Sequence, residues 1–185
     1  LLLGLLQALD KSDMKSTIAG MLRAMEQDFG INADMEAVLL LVSALPTALV
    51  APFWGLLADS YPRFRLMVLA SIMWSLFTFL SAAAPSFWVL CIARGFPAAA
   101  LGAILPISQG IVVDLVPAVY RGRMFALLTV CGGGGAGVAL LLATNFSSSY
   151  VGHMRGWRWL LIGVAVLSLL SAAFIRAFAV EPRRL

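Results

Sequence analysis

The sequence is poor in charge, histidine and cysteine. Only 12% of its 185 residues are charged and 62% are hydrophobic, whereas about a quarter of the residues in soluble domains are charged. A soluble protein of this length could not bury so much apolar surface. The composition therefore excludes a soluble enzyme, a nucleic-acid-binding module and a disordered linker. It indicates an all-α membrane protein, in which we attribute the surplus of Lys and Arg to cytoplasmic loops.

Motifs for metal, cofactor or catalytic chemistry are also missing. Cys91 and Cys131 both lie in apolar runs, without the spacing of a metal site. The glycine run at 132–135 lacks the lysine and the preceding strand of a phosphate-binding loop, so we interpret it as a helix contact or a hinge. The chain has neither a Gly-x-Ser-x-Gly elbow nor an HExxH motif, so its sequence does not favour an intramembrane enzyme. We also expect no cofactor.

Long apolar runs fill nearly the whole chain. A membrane-spanning helix needs about 20 mostly apolar residues. Six segments meet this requirement: 1–24, 37–58, 65–84, 87–114, 122–146 and 158–178. They leave no room for a soluble domain, so residues 1–185 are predicted to form one transmembrane bundle. Because the chain opens with Leu1 inside an apolar run, we expect it to be a fragment.

The distribution of basic residues predicts an orientation. Basic residues follow the second, fourth and sixth spans: Arg63, Arg65, Arg121, Arg123, Arg183 and Arg184. The first connection is acidic, and the fifth holds His153, Arg155 and Arg158. Since cytoplasmic loops are enriched in Lys and Arg, the 2–3 and 4–5 connections and the C-terminus are predicted to be cytoplasmic.

Charged residues inside the spans are the candidate functional residues, because charge in lipid is costly. Asp10 and Asp13 share one stripe of the first span, and Lys11 and Lys15 share another. Neither acid has a well-placed basic partner on its own helix, so we expect partners from other helices or from water in a cavity. The alternative is a tilted or late-starting first span, with these charges at a wet interface.

Arg94 is a lone cation about eight residues into the fourth span. Its guanidinium is always charged and carries five hydrogen-bond donors. It therefore requires a carboxylate, a group of carbonyls or an anionic substrate. The alternative is a buried ion pair that only fixes helix packing.

Residues 55–65 read Gly-Leu-Leu-Ala-Asp-Ser-Tyr-Pro-Arg-Phe-Arg. This segment, between the second and third spans, resembles the signature loop of the major facilitator superfamily. Gly55, Asp59 and Arg63 match the family's glycine, aspartate and basic positions. At positions 60, 62 and 64, where the family commonly has a basic residue or glycine, the chain has serine, proline and phenylalanine.

Four further features resemble the same family, in the same order along the chain. They are Arg94 with Gly95 in the fourth helix, Asp114 with Arg121 around the 4–5 loop, the glycines at 132–137, and Gly-Trp-Arg-Trp at 156–159. Within the family, residues 17–22, 26–31 and 51–55 are similar to the Spinster-like lysolipid and sphingolipid transporters. Those transporters carry Asp-Arg just before the threonine that matches Thr17. An ungapped alignment puts Met14 and Lys15 of this chain there, with Asp13 one place earlier than the family's aspartate.

The resemblance implies the N-terminal six-helix half of a twelve-helix carrier that works by alternating access. It implies that Asp59 pairs with basic residues such as Arg121 to latch the cytoplasmic side. It also implies proton coupling through Asp13, with Asp10 as a rival, acting on Arg94 or on the substrate.

The expected partners are a small-molecule or lipid substrate, membrane lipids, and either a missing C-terminal half or a second copy of the chain. Sugars and organic anions stay open as substrates. A non-transporting membrane protein that retains the fold is the alternative function, since fold alone does not fix function.

Overall fold

A computed structural model describes residues 2–13 and 18–178. The described chain is almost entirely helical, with one short hairpin. Its elements are α1 (Leu2–Lys11), α2 (Ile18–Phe29), α3 (Ala33–Ser60), α4 (Arg63–Ala82), α5 (Phe87–Leu101), α6 (Ile104–Leu115), α7 (Ala118–Phe146), β1 (Tyr150–Val151), β2 (Met154–Arg155) and α8 (Gly156–Phe178).

Five helical segments of the described chain are long and apolar enough to cross a membrane. They are Ala33–Ser60, Arg63–Ala82, Phe87–Leu115, Ala118–Phe146 and Gly156–Ala177. These correspond to the second to sixth predicted spans. The predicted first span falls on α1 and α2, each of which is too short to cross alone, so the total of six spans stays a prediction.

Several residues predicted to lie in connections are in fact helical. Asp34 and Glu36 occupy the first turn of α3, where negative charge is favourable beside the positive end of the helix dipole. Arg63 begins α4, and Arg121 lies in the first turns of α7. Both helices start directly after a proline, whose missing N–H is not needed in a first turn. The connections are therefore shorter than predicted.

The helices pack in pairs around a thin core. α4 packs along α8, α1 packs along α7, and α5 contacts both α3 and α4. Large apolar side chains remain exposed along the outer faces, among them Leu56 at 68% and Val130 at 70%. In water such faces would be costly, so their exposure agrees with a bundle whose solvent is lipid.

The glycine run of α7 forms a helix–helix contact, the first of its two predicted roles. α7 is one uninterrupted helix through these residues. A Cβ atom added at Gly135 would lie 2.5 Å from the Cβ atom of Ala8 in α1, and one at Gly132 would lie 2.8 Å from Cδ of Lys11. The missing side chains let α1 and α7 approach closely, as small residues commonly do in membrane helices.

The fourth predicted span is broken between α5 and α6. The amide of Ala103 donates to the carbonyl of Ala100, three residues earlier, so the carbonyl of Ala99 lacks its usual helical donor. Trp54 of α3 donates its indole Nε1–H to that carbonyl oxygen at 3.0 Å. Thr47, about two turns earlier on the same face of α3, donates to the carbonyl of Ala98 at 2.7 Å. The last turn of α5, just before the break, is thus fastened to α3.

One end of the bundle, which we call the hairpin end, is closed by β1, β2 and the start of α8. The indole of Trp157 donates to Asp28 at the C-terminus of α2, and Arg155 forms an ion pair with the same carboxylate. Arg158 donates to the carbonyls of Ala82 and Ala84, at the end of α4, at 2.9 and 3.0 Å. These bonds tie α2, α4 and α8 together at this end.

Candidate functional site

A buried ion pair joins Asp13, two residues after the end of α1, to Arg94 of α5. The Nη1 atom of Arg94 lies 3.0 Å from Oδ1 of Asp13. Nη2 of the same guanidinium donates to the main-chain carbonyl oxygen of Asp13 at 3.4 Å. The Arg94 side chain is 4% exposed and the Asp13 side chain is 0% exposed. The structure therefore brings together two of the residues that the sequence singled out.

The second oxygen of the carboxylate is bound by α4. Trp74 donates its indole N–H to Oδ2 of Asp13 at 2.6 Å. Thr78, one turn further along α4, lies with its hydroxyl 3.5 Å from the same oxygen. Side chains from α4 and α5 thus occupy both carboxylate oxygens, and the group has no exposed surface.

This arrangement matches the charged form of Asp13. The guanidinium of Arg94 and the indole of Trp74 can only donate hydrogen bonds, and an ionised carboxylate can only accept them. Proton uptake would convert one acceptor oxygen into a donor and leave Arg94 without its counter-charge. Because an unpaired buried charge is strongly unfavourable, the neutral form of Asp13 requires a different arrangement around Arg94.

The other residues predicted for this site fall outside what the structure describes. Asp10 lies in the described helix α1, but its side chain is outside the described part. Lys15 lies outside the described residues altogether. Sequence reasoning missed Trp74 and Thr78, since a tryptophan and a threonine within an apolar run are ordinary in a membrane helix and carry no charge to mark them.

Further polar groups extend along α1 from the ion pair. Gln7 donates to the hydroxyl of Ser108 in α6 at 2.9 Å, and both side chains are buried. The half-buried Lys11 lies across Gly132 of α7. Within residues 2–13 and 18–178, no three His, Cys, Asp or Glu side chains converge as metal ligands.

A second ion pair lies at the end of the bundle opposite the hairpin. Arg63, at the start of α4, places Nη1 2.9 Å from Oδ2 of Asp114, near the end of α6. Its guanidinium lies directly over Gly110, where a Cβ atom would overlap it. These two members of the predicted gating loop are therefore in contact, and the missing side chain of Gly110 leaves space for the guanidinium.

The remaining gating residues lie close by. The guanidinium of Arg121 donates to the carbonyls of Val116 and Val113 at 3.0 and 2.9 Å, which caps the end of α6. Asp59 lies in the last turn of α3, and its pairing with Arg121 stays a prediction. A Cβ atom at Gly55 would meet no described atom within 4 Å, so packing inside the described bundle does not require glycine there.

Known proteins resemble this chain along most of its length. The chain is 28% identical over 170 residues to Protein spinster homolog 1 of Xenopus laevis, an alignment that covers 91% of the chain and 32% of that protein. It is 29% identical over 171 residues to the uncharacterized MFS-type transporter YfhI of Bacillus subtilis, with 90% of the chain and 40% of YfhI covered. The chain thus spans about a third of the length of these relatives.

Solved structures share the fold. One is a bacterial homolog of the human lysosomal transporter Spinster in an inward-facing, occupied conformation, with a TM-score of 0.87 and 21% identity. All of this chain and 44% of that chain are covered. Another is the inward-open xylose transporter XylE from E. coli, with a TM-score of 0.83 and 15% identity over 98% of this chain and 48% of that one.

The family assignment follows from the extent of the match. The model of the Major Facilitator Superfamily matches residues 11–185, a range that includes the Asp13–Arg94 and Arg63–Asp114 ion pairs. The relatives of the chain are transporters of this superfamily and not enzymes, and the similarity includes Spinster homologs. The chain belongs to the Major Facilitator Superfamily and is similar to its Spinster-like members.

Proposed function

We propose that this chain forms one six-helix half of a proton-coupled carrier, with Asp13 as the proton-binding residue. The observation that supports the proposal is the buried contact of Asp13 with Arg94, Trp74 and Thr78. Intramembrane ionisable residues that pair with one another commonly mark proton or substrate pathways.

The coupling step is a change of partner by Arg94. While Asp13 is ionised, it neutralises Arg94 across 3.0 Å. When Asp13 takes up a proton, the guanidinium loses its counter-charge and turns toward an anionic group of the substrate or toward water. A ligand that supplies this charge would bind more tightly to the protonated protein, and the two events are thereby linked.

A latch at the opposite end accompanies this step. The ion pair of Arg63 and Asp114 joins the start of α4 to the end of α6, and Arg121 caps the end of α6 beside it. Together with Asp59 and Gly55, these residues form the gating loop that alternating access requires. We place this end in the cytoplasm, because the basic residues of the 2–3 and 4–5 connections lie there.

The central site is completed by a second helical bundle. In carriers built from two such halves, the substrate lies between them near the middle of the membrane. The second half is either further chain or a second copy of this one. Structural neighbours that extend to more than twice the matched length support this.

The similarity to Spinster homologs favours a lysolipid or sphingolipid substrate. The likeness to a D-xylose transporter of Levilactobacillus brevis, 30% identical over 128 residues, supports a sugar as the alternative. A non-transporting membrane protein with this fold is the remaining alternative function. Nothing in the geometry of the described residues favours it over transport.

The test is transport by the full-length protein in proteoliposomes, driven by an imposed pH gradient. Candidate lysolipids and sugars are compared as labelled substrates. Asp13→Asn keeps the size of the side chain but cannot bind a proton, so uptake driven by the pH gradient should fall at least about tenfold while exchange of substrate across the membrane continues.

Asp34→Asn is the matched control, since it removes an acid of the same type from the exposed first turn of α3. It should leave both measurements unchanged. Gradient-driven uptake by Asp13→Asn at the unmodified rate would contradict proton coupling through Asp13. Absence of transport of any tested class by the unmodified protein would favour the non-transporting alternative.

A further inference from the structure

A cavity of about 460 Å³ opens at the hairpin end between α2 and the C-terminus of α7. Neither residue of the central ion pair lines it. The residues that line it are mostly of polar type: Gly20, Arg23, Gln27, Thr144, Ser147 and Ser148.

The floor of the cavity is a close helix contact. A Cβ atom at Gly20 would lie 2.5 Å from Cβ of Ala143, so α2 and α7 touch at this level. The buried hydroxyl of Ser147 donates to the carbonyl oxygen of Gly20 at 3.2 Å. This contact fixes the spacing of the two walls, and the cavity therefore belongs to the rigid packing of the bundle.

Arg23 supplies an uncompensated positive charge to the cavity. Its side chain is exposed, and among the described residues it takes part in no ion pair, although Glu26 lies three residues further along α2. No acidic side chain lines the cavity. The nearby Asp28 is occupied by Arg155 and Trp157.

The other available groups of the cavity are donors as well. Nη1 of Arg155 donates to Oε1 of Gln27 at 2.9 Å, which occupies the acceptor of the amide and leaves its NH₂ group to donate. Ser148 contributes an exposed hydroxyl. A guanidinium, an amide NH₂ and a hydroxyl around one space, with no carboxylate among them, favour an anion with several acceptor oxygens.

We propose that this cavity binds a phosphate group, held by Arg23 and completed by Gln27 and Ser148. A guanidinium matches the geometry of phosphate oxygens and can bind two of them at once. Tyr150 and Trp159 lie at the same end of the bundle, and such aromatic residues are enriched at the level of lipid headgroups. The phosphate therefore belongs either to a phospholipid headgroup or to a soluble phosphate compound.

The test measures binding to the full-length protein in phosphate-free maltoside micelles. Inorganic phosphate is titrated by calorimetry, and dioctanoyl phosphatidylglycerol and dioctanoylglycerol are compared by native mass spectrometry. Arg23→Gln removes the charge from the cavity. Arg123→Gln is the control, because it removes an exposed arginine near the start of α7, at the opposite end.

Arg23→Gln should weaken phosphate-dependent binding at least about tenfold, the loss expected for a hydrogen bond to a charged group. Arg123→Gln should bind like the unmodified protein. Binding of phosphatidylglycerol alone identifies a headgroup site, and binding of inorganic phosphate as well identifies a site for soluble phosphates. Equal binding by Arg23→Gln, equal binding of dioctanoylglycerol, or no binding of either phosphate probe by the unmodified protein would overturn the proposal.

Discussion

Trp74 donates its indole N–H to Oδ2 of Asp13, the carboxylate oxygen that Arg94 does not contact. The two donors come from different helices, α4 and α5, and meet on one side chain that follows α1 by two residues. Asp13 therefore connects three helices through a single charge. Its removal should be felt in the packing of the bundle as well as in any coupling role.

Trp74→Phe keeps the ring in the core and removes its hydrogen bond. We expect the free energy of unfolding to fall by about 1.5–3 kcal/mol, because the lost bond goes to a charged group. Unfolding is measured by SDS titration in mixed micelles. In an Asp13→Asn background the same change should cost clearly less, and an equal cost in both backgrounds would contradict the charge-assisted bond.

Arg94→Leu leaves the carboxylate of Asp13 buried without a counter-charge. The free energy of unfolding should fall by about 3–5 kcal/mol, the range found when one partner of a buried ion pair is removed. The double variant Arg94→Leu with Asp13→Asn should recover much of that loss, since no buried charge remains. If the double variant loses as much free energy of unfolding as the two single variants together, the two charges do not stabilise each other and the prediction is wrong.

Gly110→Ala should separate Arg63 from Asp114, because the added Cβ atom would occupy the place of the guanidinium. Stability should change by no more than about 1 kcal/mol, since the pair is partly exposed. The rate of transport by the full-length protein should change as it does in Arg63→Gln, and combining the two variants should add little.

Gly122→Ala is the control for that experiment. It adds the same methyl group near the start of α7, where no described atom lies within 4 Å of the new Cβ position. Transport should stay at the unmodified rate. A similar change of transport in both alanine variants would show that the effect does not come from Arg63.

Gly135→Ala should weaken the contact between α1 and α7. The new methyl group would lie 2.8 Å from the backbone of Ala8, which cannot rotate away. Such overpacking costs about 1–3 kcal/mol, measurable as a lower midpoint in thermal unfolding. Gly134→Ala, one residue earlier, meets open space and should be neutral or slightly stabilising. Equal effects of the two variants would contradict the close contact.

The central ion pair shows how far the sequence alone could lead. A lone arginine in an apolar span needs an anion, and Asp13 was one of the two acids proposed as its partner. Trp74 and Thr78 could not be predicted, because a neutral hydrogen-bond donor inside a membrane helix does not carry the large cost of a charge and so does not stand out in the sequence. The choice of donor depends on which face of α4 packs against α5, and α4 has polar and apolar residues on several faces.

Helix ends were predicted less well than helix centres. Charge at Arg63 and Arg121 is costly in lipid, so these residues were predicted to lie in loops. Arg63 instead begins α4, and Arg121 lies in the first turns of α7. The break after Leu101 was also missed. Pro97 and Gly102 both favour an interruption, but the run 87–114 stays apolar throughout, and hydropathy does not register a change of hydrogen bonding.

The interruption between α5 and α6 has a mechanical consequence. Arg94 lies in α5 and Asp114 in α6, so no continuous ladder of helical hydrogen bonds runs from one to the other. A rotation of α5 at the ion pair is therefore not carried into α6 by an unbroken set of helical hydrogen bonds. The bonds of Thr47 and Trp54 to the carbonyls of Ala98 and Ala99 hold the end of α5 to α3 instead, so such a rotation acts first on α3.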